Sequence, residues 1–159
     1  MPSVTVIDRR LLDQVLERAE RSPRRRMNHN LHATPEENPN RLVNAMLRGT
    51  YIVPHRHVTP PKTESFLVLR GSVVFFVFDD GGQIARRLVL EPGVTPGVDV
   101  PPGVWHTLSP LSEQAICYET KPGPYAVTDK DLAPWAPRED APAAAAYLES
   151  LLQAPVMEG

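Results

Sequence analysis

The sequence has little of three features that would each indicate a particular class of protein. It has one cysteine, Cys117, so it can form no internal disulfide, and the surrounding run 115–118 predicts a buried thiol on a strand. Its longest apolar run, 65–78, is interrupted by Arg70 and Gly71 and is too short to cross a bilayer. The net charge of -2 gives no electrostatic reason to expect nucleic acid or a membrane surface as a partner.

The N-terminal residues lack the apolar stretch of a signal peptide. Asp8, Arg9 and Arg10 stand where that stretch would lie, so we expect a cytoplasmic protein. The length of 159 residues suits one compact domain better than two, and an apolar content of 42% is enough to build one core. We therefore expect a single globular unit with short additions at its two ends.

Helical periodicity is confined to those ends. Asp8 can cap a helix that Ser22 and Pro23 end, and its apolar residues recur at intervals of three and four. These apolar residues are Leu11, Leu12, Val15, Leu16 and Ala19. A second helix is predicted over 143–153, between Pro142 and Pro155.

The sequence between the helices predicts short strands separated by proline and glycine. The chain's 18 prolines disfavour a helical core. The predicted strands are 66–69, 72–78, 84–90, 98–100, 104–108 and 114–121. Strands of this length and spacing favour a sandwich or barrel, and a double-sheet jelly roll buries both sheets while leaving a cavity between them. We expect a helix and connecting arm over 1–40, a barrel over 41–127, and a C-terminal segment with a helix over 128–159.

Two histidines one residue apart carry the main functional signal. His55 and His57 project to the same side of an extended segment, Glu64 follows, and His106 comes on a later strand. Imidazole nitrogen and carboxylate oxygen suit one divalent Fe, Mn, Ni, Zn or Co ion, with room for water or substrate. Two exposed loop histidines are the simpler alternative. Glu64 would face outward if the loop 58–63 shifted its strand by one residue.

The spacing of these residues resembles the two sequence motifs of the cupin superfamily. The similar segments are Gly49-x5-His55-x-His57-x6-Glu64-x6-Gly71 and Gly97-x3-Pro101-x-Gly103-x2-His106. Two departures are a longer interval between His57 and Glu64, and Pro110 in place of the closing asparagine of the second motif. Neither departure removes a ligand. The resemblance implies a cupin-type double-stranded β-helix, a jelly-roll barrel, between short terminal helices.

Seven short segments between about residue 20 and residue 140 resemble the WbuC family of cupin-fold metalloproteins. They are Ser22-Pro23-Arg24, Asn30-Leu31-His32, Gly49-Thr50-Tyr51, Pro54-His55-Arg56-His57, Val104-Trp105-His106-Thr107, Lys121-Pro122-Gly123-Pro124-Tyr125 and Ala133-Pro134-Trp135-Ala136-Pro137. The resemblance implies a mononuclear metal held by His55, His57, Glu64 and His106. Members of that family are associated with surface-polysaccharide gene clusters, so it also suggests polysaccharide biosynthesis and a sugar-related ligand.

Four further residues are candidate substrate contacts. His32 could reach the mouth of the barrel, and Tyr51 has the same parity as His55, although an ordinary core tyrosine is the preferred interpretation. Glu119 and Lys121 share one face of a strand and could line the cavity, but a cross-strand ion pair accounts for them equally well. The basic residues at 21 and 24–26 favour a solvated surface segment over an anion site.

Two functions stay open on this evidence. The first is a metal-dependent enzyme, an isomerase, epimerase or dioxygenase, acting on a small polar molecule. The second is a non-catalytic cupin that binds metal and ligand as a sensor or accessory protein. A purely structural metal is disfavoured, since structural zinc sites prefer cysteine-rich ligand sets. A homodimer stays open too, because the apolar strand near 73–78 could pack on the terminal helices or on a second subunit.

Overall fold

The computed structural model describes residues 4–155, which form two antiparallel sheets with a helix behind each. The helices are α1 (Arg9–Arg21) and α2 (Ala144–Gln153), with a 3-10 turn at Val127–Asp129. The strands are β1 (Arg26–Asn30), β2 (Asn40–Leu47), β3 (His55–Arg56), β4 (Glu64–Arg70), β5 (Val73–Phe78), β6 (Ile84–Leu90), β7 (Gly97–Val100), β8 (Trp105–Pro110), β9 (Gln114–Lys121) and β10 (Asp131–Leu132). No helix within 4–155 is long and apolar enough to cross a bilayer.

The two sheets face each other across one buried core. Their strand orders are β1-β2-β9-β4-β7 and β10-β3-β8-β5-β6. Met46 and Phe66 of the first sheet lie in one apolar cluster with Phe75 and Leu108 of the second, and Cys117 is buried among them. Each sheet therefore has an inner face in this core and an outer face that needs its own cover. The prediction of a mainly β jelly roll is confirmed.

Helix α1 covers the outer face of the first sheet. Asp8 caps it by accepting a hydrogen bond from the backbone N–H of Leu11 at 2.9 Å, as the sequence predicted. Its buried residues Val15 and Ala19 pack against Val43 of β2 and neighbouring residues. Because β1 pairs with β2 beneath this helix, the segment 1–40 contributes a strand to the sheet as well as an arm.

Helix α2 covers the outer face of the second sheet. Leu148 and Leu151 pack in one cluster with Phe76 and Phe78 of β5, whereas Phe75 points to the core between the sheets. Both faces of β5 are thus covered within one chain. This strand leaves no apolar face for a second subunit, and a homodimer stays a prediction without support from it.

Candidate metal centre and cavity

The four residues predicted to hold a metal come from both sheets: two lie on the paired strands β3 and β8, one lies on β4 of the facing sheet, and one lies in the loop after β3. His55 on β3 stands directly opposite His106 on β8, and His57 follows at the end of β3. Glu64 is the first residue of β4, and its side chain is 1% exposed. The longer loop 58–63 therefore returns the chain in the register that turns Glu64 inward, towards His57 and His106.

Each histidine has one ring nitrogen committed to the backbone. The Nδ1 atoms contact the carbonyl oxygens of Val53 (3.0 Å, from His55), Asp129 (2.6 Å, from His57) and Val104 (2.9 Å, from His106). A carbonyl oxygen only accepts hydrogen bonds, so each Nδ1 carries a proton and donates it. In the neutral imidazole the remaining nitrogen, Nε2, then has a free lone pair, which is the form that binds metal.

The carboxylate of Glu64 lies at the centre of these lone pairs. Its Oε1 is 3.1 Å from His57 Nε2 and 3.1 Å from Lys121 Nζ, and its Oε2 is 3.1 Å from His106 Nε2. His57 Nε2 is buried, and its contact with Glu64 Oε1 does not have the geometry of a hydrogen bond. It has no hydrogen-bond partner among residues 4–155. A lone pair facing a carboxylate oxygen places two acceptors together. A cation between them would satisfy both atoms.

The protonation states fit a metal ion as well. Burial lowers the pKa of His55 well below its usual range, because an imidazolium ion is poorly solvated there. For Glu64, burial alone would raise the pKa, but protons shared with His106 and His57 and the ammonium of Lys121 outweigh it and hold the pKa far below normal. A metal ion would take the place of those shared protons. Neutral imidazole and ionised carboxylate are the forms that coordinate metals.

Ligand atoms of His55, His57 and Glu64 lie within 4.8 Å of one another, so this buried group could bind a metal ion. His106 lies outside that compact trio and approaches it through Glu64. Phe75 stacks on the imidazole ring of His106, with 5.6 Å between the ring centroids and an interplanar angle of 12°. The nitrogen and oxygen donors are those preferred by first-row transition metals.

Two of the four predicted metal ligands line a cavity of about 410 Å³. His55 and Glu64 line it, and so do Glu119 and Lys121. Lys121 Nζ donates to Glu119 Oε1 at 2.9 Å, and Asn44 Nδ2 donates to Glu119 Oε2. The two explanations offered for Glu119 and Lys121 therefore hold together, since the residues form an ion pair and also line the cavity.

Lys121 keeps its proton in this setting. Burial by itself lowers the pKa of Lys121, but the carboxylates of Glu119 and Glu64 outweigh it and raise the pKa above normal. The residue is thus a fixed cation between two buried carboxylates. It can donate hydrogen bonds but is not a base at neutral pH.

Of the other two predicted substrate contacts, one lies at the cavity and the other lies elsewhere. His32 lines the cavity, where its Nδ1 lies 2.8 Å from the carbonyl oxygen and 3.0 Å from the backbone nitrogen of Arg41. Tyr51 does not line the cavity: it packs beneath α2, and its hydroxyl donates to the carbonyl of Pro137 at 2.8 Å. Residues 51–54 are not a regular strand, so alternation does not carry from His55 back to Tyr51. Ile52 lines the cavity instead.

Sequence reasoning missed a row of polar residues on and before β1. Arg24, Arg26, Asn28 and Asn30 all line the cavity, and the Arg26 side chain is only 16% exposed. Arg24 and Arg26 each bind both carboxylate oxygens of Glu139, with four contacts of 2.7–3.0 Å. The signal was the spacing, because polar residues at every second position fit a strand with one polar face. Arg26 is therefore partly buried and ion-paired, whereas Arg21, Arg24 and Arg25 are exposed, as expected for a surface segment.

The ion pair of Glu139 predicts a pH-dependent stability. Burial opposes ionisation, but hydrogen bonds from Arg24 and Arg26 lower the pKa of Glu139 to about 2 from 4.5. A depressed folded pKa contributes stability above the unfolded pKa and loses it as pH falls through the folded value. The free energy of unfolding of the metal-free protein should therefore exceed that of Glu139→Gln at neutral pH, and the difference should shrink between pH 4.5 and about 2.

Urea unfolding of both proteins across that pH range measures the difference. Glu20→Gln, which changes an exposed glutamate of α1, is the matched control and should show no such dependence. A difference between wild type and Glu139→Gln that stays constant with pH would contradict the assigned ion pair.

Comparisons with known proteins place the chain in a family and support its fold. The chain belongs to the family described as a domain of unknown function, DUF6016, whose profile matches residues 7–90. No curated protein matches the sequence. WbuC membership therefore stays a prediction.

Several solved structures are similar to this chain with TM-scores above 0.5, and three of them come from different proteins. The capsular polysaccharide assembling protein CapF of Staphylococcus aureus is 21% identical with a TM-score of 0.56, over 67% of this chain and 29% of CapF. A chain from the DMSP lyases RdDddP and RnDddQII is 20% identical (TM-score 0.52; 68% of this chain, 52% of that chain). A Shewanella oneidensis protein is 11% identical with a TM-score of 0.53, over 67% of this chain and 72% of that protein's chain. The chain spans less than a third of CapF, and such identities support the cupin-type fold alone.

Proposed function

We propose that this member of the DUF6016 family is a metal-dependent enzyme acting on a small polar molecule, with one divalent ion held by His55, His57, Glu64 and His106. One observation carries the proposal. Three imidazoles have Nδ1 committed to backbone carbonyls, and two of them present Nε2 to a buried carboxylate at 3.1 Å. A divalent ion would bind these acceptors together, in addition to the ammonium of Lys121 at Glu64 Oε1, and Fe, Mn, Ni, Zn or Co suits these donors. The ion would supply Lewis acidity towards oxygen atoms of the bound molecule or, with iron, oxidative chemistry.

The chain's own residues supply proton transfer beside this site. Lys121 holds its proton and can donate a hydrogen bond to a substrate oxygen, which stabilises negative charge developing there. Glu119 Oε1 and Oε2 are oriented by Lys121 and Asn44, and the carboxylate can accept a proton from carbon or oxygen. Proton removal next to a carbonyl group is the step shared by isomerases and epimerases. The pair therefore supports that reaction class over oxygen chemistry.

A sugar-related substrate fits the cavity by size and polarity. A volume of about 410 Å³ is within the range of small-molecule sites, and carboxylate, ammonium and amide groups line it. CapF is described as a capsular polysaccharide assembling protein, and the resemblance to WbuC suggests surface-polysaccharide biosynthesis. Both likenesses support the proposal of a sugar-related molecule, and the chemistry of the lining is consistent with it.

Elemental analysis of protein purified without a histidine tag tests the metal. We expect close to one equivalent of a single transition metal, either as purified or after reconstitution. Manganese or zinc would favour isomerisation, whereas iron would favour oxygen chemistry. Protein that holds no metal in either preparation would refute the proposal.

A second candidate is a cupin that binds metal and ligand without turnover. Glu119 favours it, because this carboxylate is buried and already satisfied by Asn44 and Lys121. Proton exchange separates the two functions. In D2O an isomerase should introduce deuterium into a bound keto sugar, detected by NMR, and Glu119→Gln should stop the exchange while the metal stays bound. A protein that binds the sugar without any exchange would be the non-catalytic cupin.

A further inference from the structure

The cavity contains one cation that no carboxylate neutralises. Its lining includes four cationic side chains, Arg24, Arg26, Lys121 and Lys130. The two arginines are bound to Glu139, and Lys121 is bound to Glu64 and Glu119. Lys130 has no ion pair and no side-chain hydrogen bond with any residue of the range 4–155.

The backbone on both sides of Lys130 is anchored to the metal centre. Before it, the carbonyl of Asp129 accepts the hydrogen bond from His57, and the Asp129 carboxylate binds Lys62 Nζ at 2.6 Å. After it, Leu132 of β10 stands opposite His55 on β3. The segment is therefore fixed at the strand edge that carries the histidines, and the Lys130 side chain lies along the cavity lined by His55.

The electrostatic surroundings of Lys130 favour an added anion. Burial lowers the pKa of Lys130, and the positive charge of Lys121 lowers it further, against the weaker influence of Glu119 and Glu64. A partly buried ammonium without a partner is unfavourable, and a negatively charged ligand would offset that cost.

We propose that Lys130 binds the carboxylate of a small hydroxycarboxylate, whose other end reaches the metal centre. This inference rests on the proposed function, since it assigns the substrate class of the same cavity. The ammonium of Lys130 carries one positive charge, which suits the single negative charge of a carboxylate. A phosphate would be better bound by the guanidinium groups of Arg24 and Arg26, but these are already bound to Glu139. The amides of Asn28 and Asn30 line the same cavity and can bind hydroxyl groups.

Calorimetric titration of the metal-loaded protein tests this assignment with three matched probes. They are D-gluconate, the neutral alcohol D-glucitol, and the phosphate ester of glucitol. We expect gluconate to bind wild type in a saturable way and to bind Lys130→Met at least about tenfold more weakly. Lys130→Arg should restore most of the affinity, and glucitol should bind wild type and Lys130→Met equally weakly. Arg86→Met, which removes an exposed charge on β6, should leave gluconate binding unchanged.

The possible failures are distinguishable. Wild type that takes up no metal overturns the proposed function, and this inference with it. Metal-loaded wild type that binds no gluconate, or binds it as tightly as Lys130→Met does, overturns the inference alone. Binding of the phosphate ester that exceeds that of gluconate and depends on Lys130 overturns the choice of a carboxylate. Thermal unfolding of Lys130→Met and Lys130→Arg checks that each variant is folded.

Discussion

His55→Ala is expected to lower the affinity for the divalent ion by at least about a hundredfold, while the fold is retained. Removing even the residues that orient metal ligands costs ten- to a hundredfold, so loss of a ligand should exceed that range. The fold should persist because the apolar clusters under α1 and α2 and between the sheets are formed by side chains other than the four proposed ligands. Metal competition with a coloured chelator measures affinity, and circular dichroism measures the fold.

His29→Ala is the matched control for this prediction. His29 lies on β1, and its Nδ1 is 3.4 Å from Arg18 Nη2, away from the metal group. The variant should bind metal as wild type does. His106→Ala should behave like His55→Ala, because its Nε2 contacts the same carboxylate. If His55→Ala and His106→Ala both bind metal normally, the ligand set is incorrect.

Lys121→Met is expected to lower the free energy of unfolding of the metal-free protein by about 3–5 kcal/mol. The substitution leaves Glu64 and Glu119 buried without the ammonium that lies 3.1 and 2.9 Å from them. Typical domains have only about 5–15 kcal/mol of stability, so the loss would be large. Metal should reduce the loss, because the ion would neutralise Glu64 in place of Lys121. Urea unfolding with a chelator, and again with metal, measures both values.

A second substitution tests whether the effect comes from the unpaired carboxylate. The double variant Lys121→Met, Glu119→Gln should lose less free energy of unfolding than the two single variants lose together, because the second substitution removes one uncompensated charge. Arg86→Met serves as the control for loss of a cation at the surface, with little expected effect. Strictly additive losses, or a loss that metal does not change, would contradict the electrostatic role of Lys121.

Local patterns were sufficient for the elements that repeat a simple period. The helix cap at Asp8 and the strands β4 to β9 lie within two or three residues of their predicted positions. The alternation of His55 and His57 placed both imidazoles on one side. These features depend on neighbours along the chain, so a short window of sequence contains the information.

Strand β2 shows why other elements escaped prediction. Leu42, Asn44 and Met46 line the cavity, while Val43 and Ala45 pack under α1. Both faces of the strand are covered, so the usual alternation of polar and apolar residues disappears. Its identity as a strand depends on pairing with β1 and β9, which are supplied by distant parts of the chain.

The sequence by itself determined the mainly β architecture, the terminal helices and the kinds of ligand available for a metal. Only the tertiary structure decided which of these groups meet. In the folded chain Tyr51 lies under α2 and Lys121 lies between Glu64 and Glu119. Lys130 lies at the cavity without an ion-pair partner among residues 4–155. The physical reason is that periodicity sets the direction of a side chain relative to its own strand. Charge neutralisation depends instead on the distance to groups on other strands, which folding alone fixes.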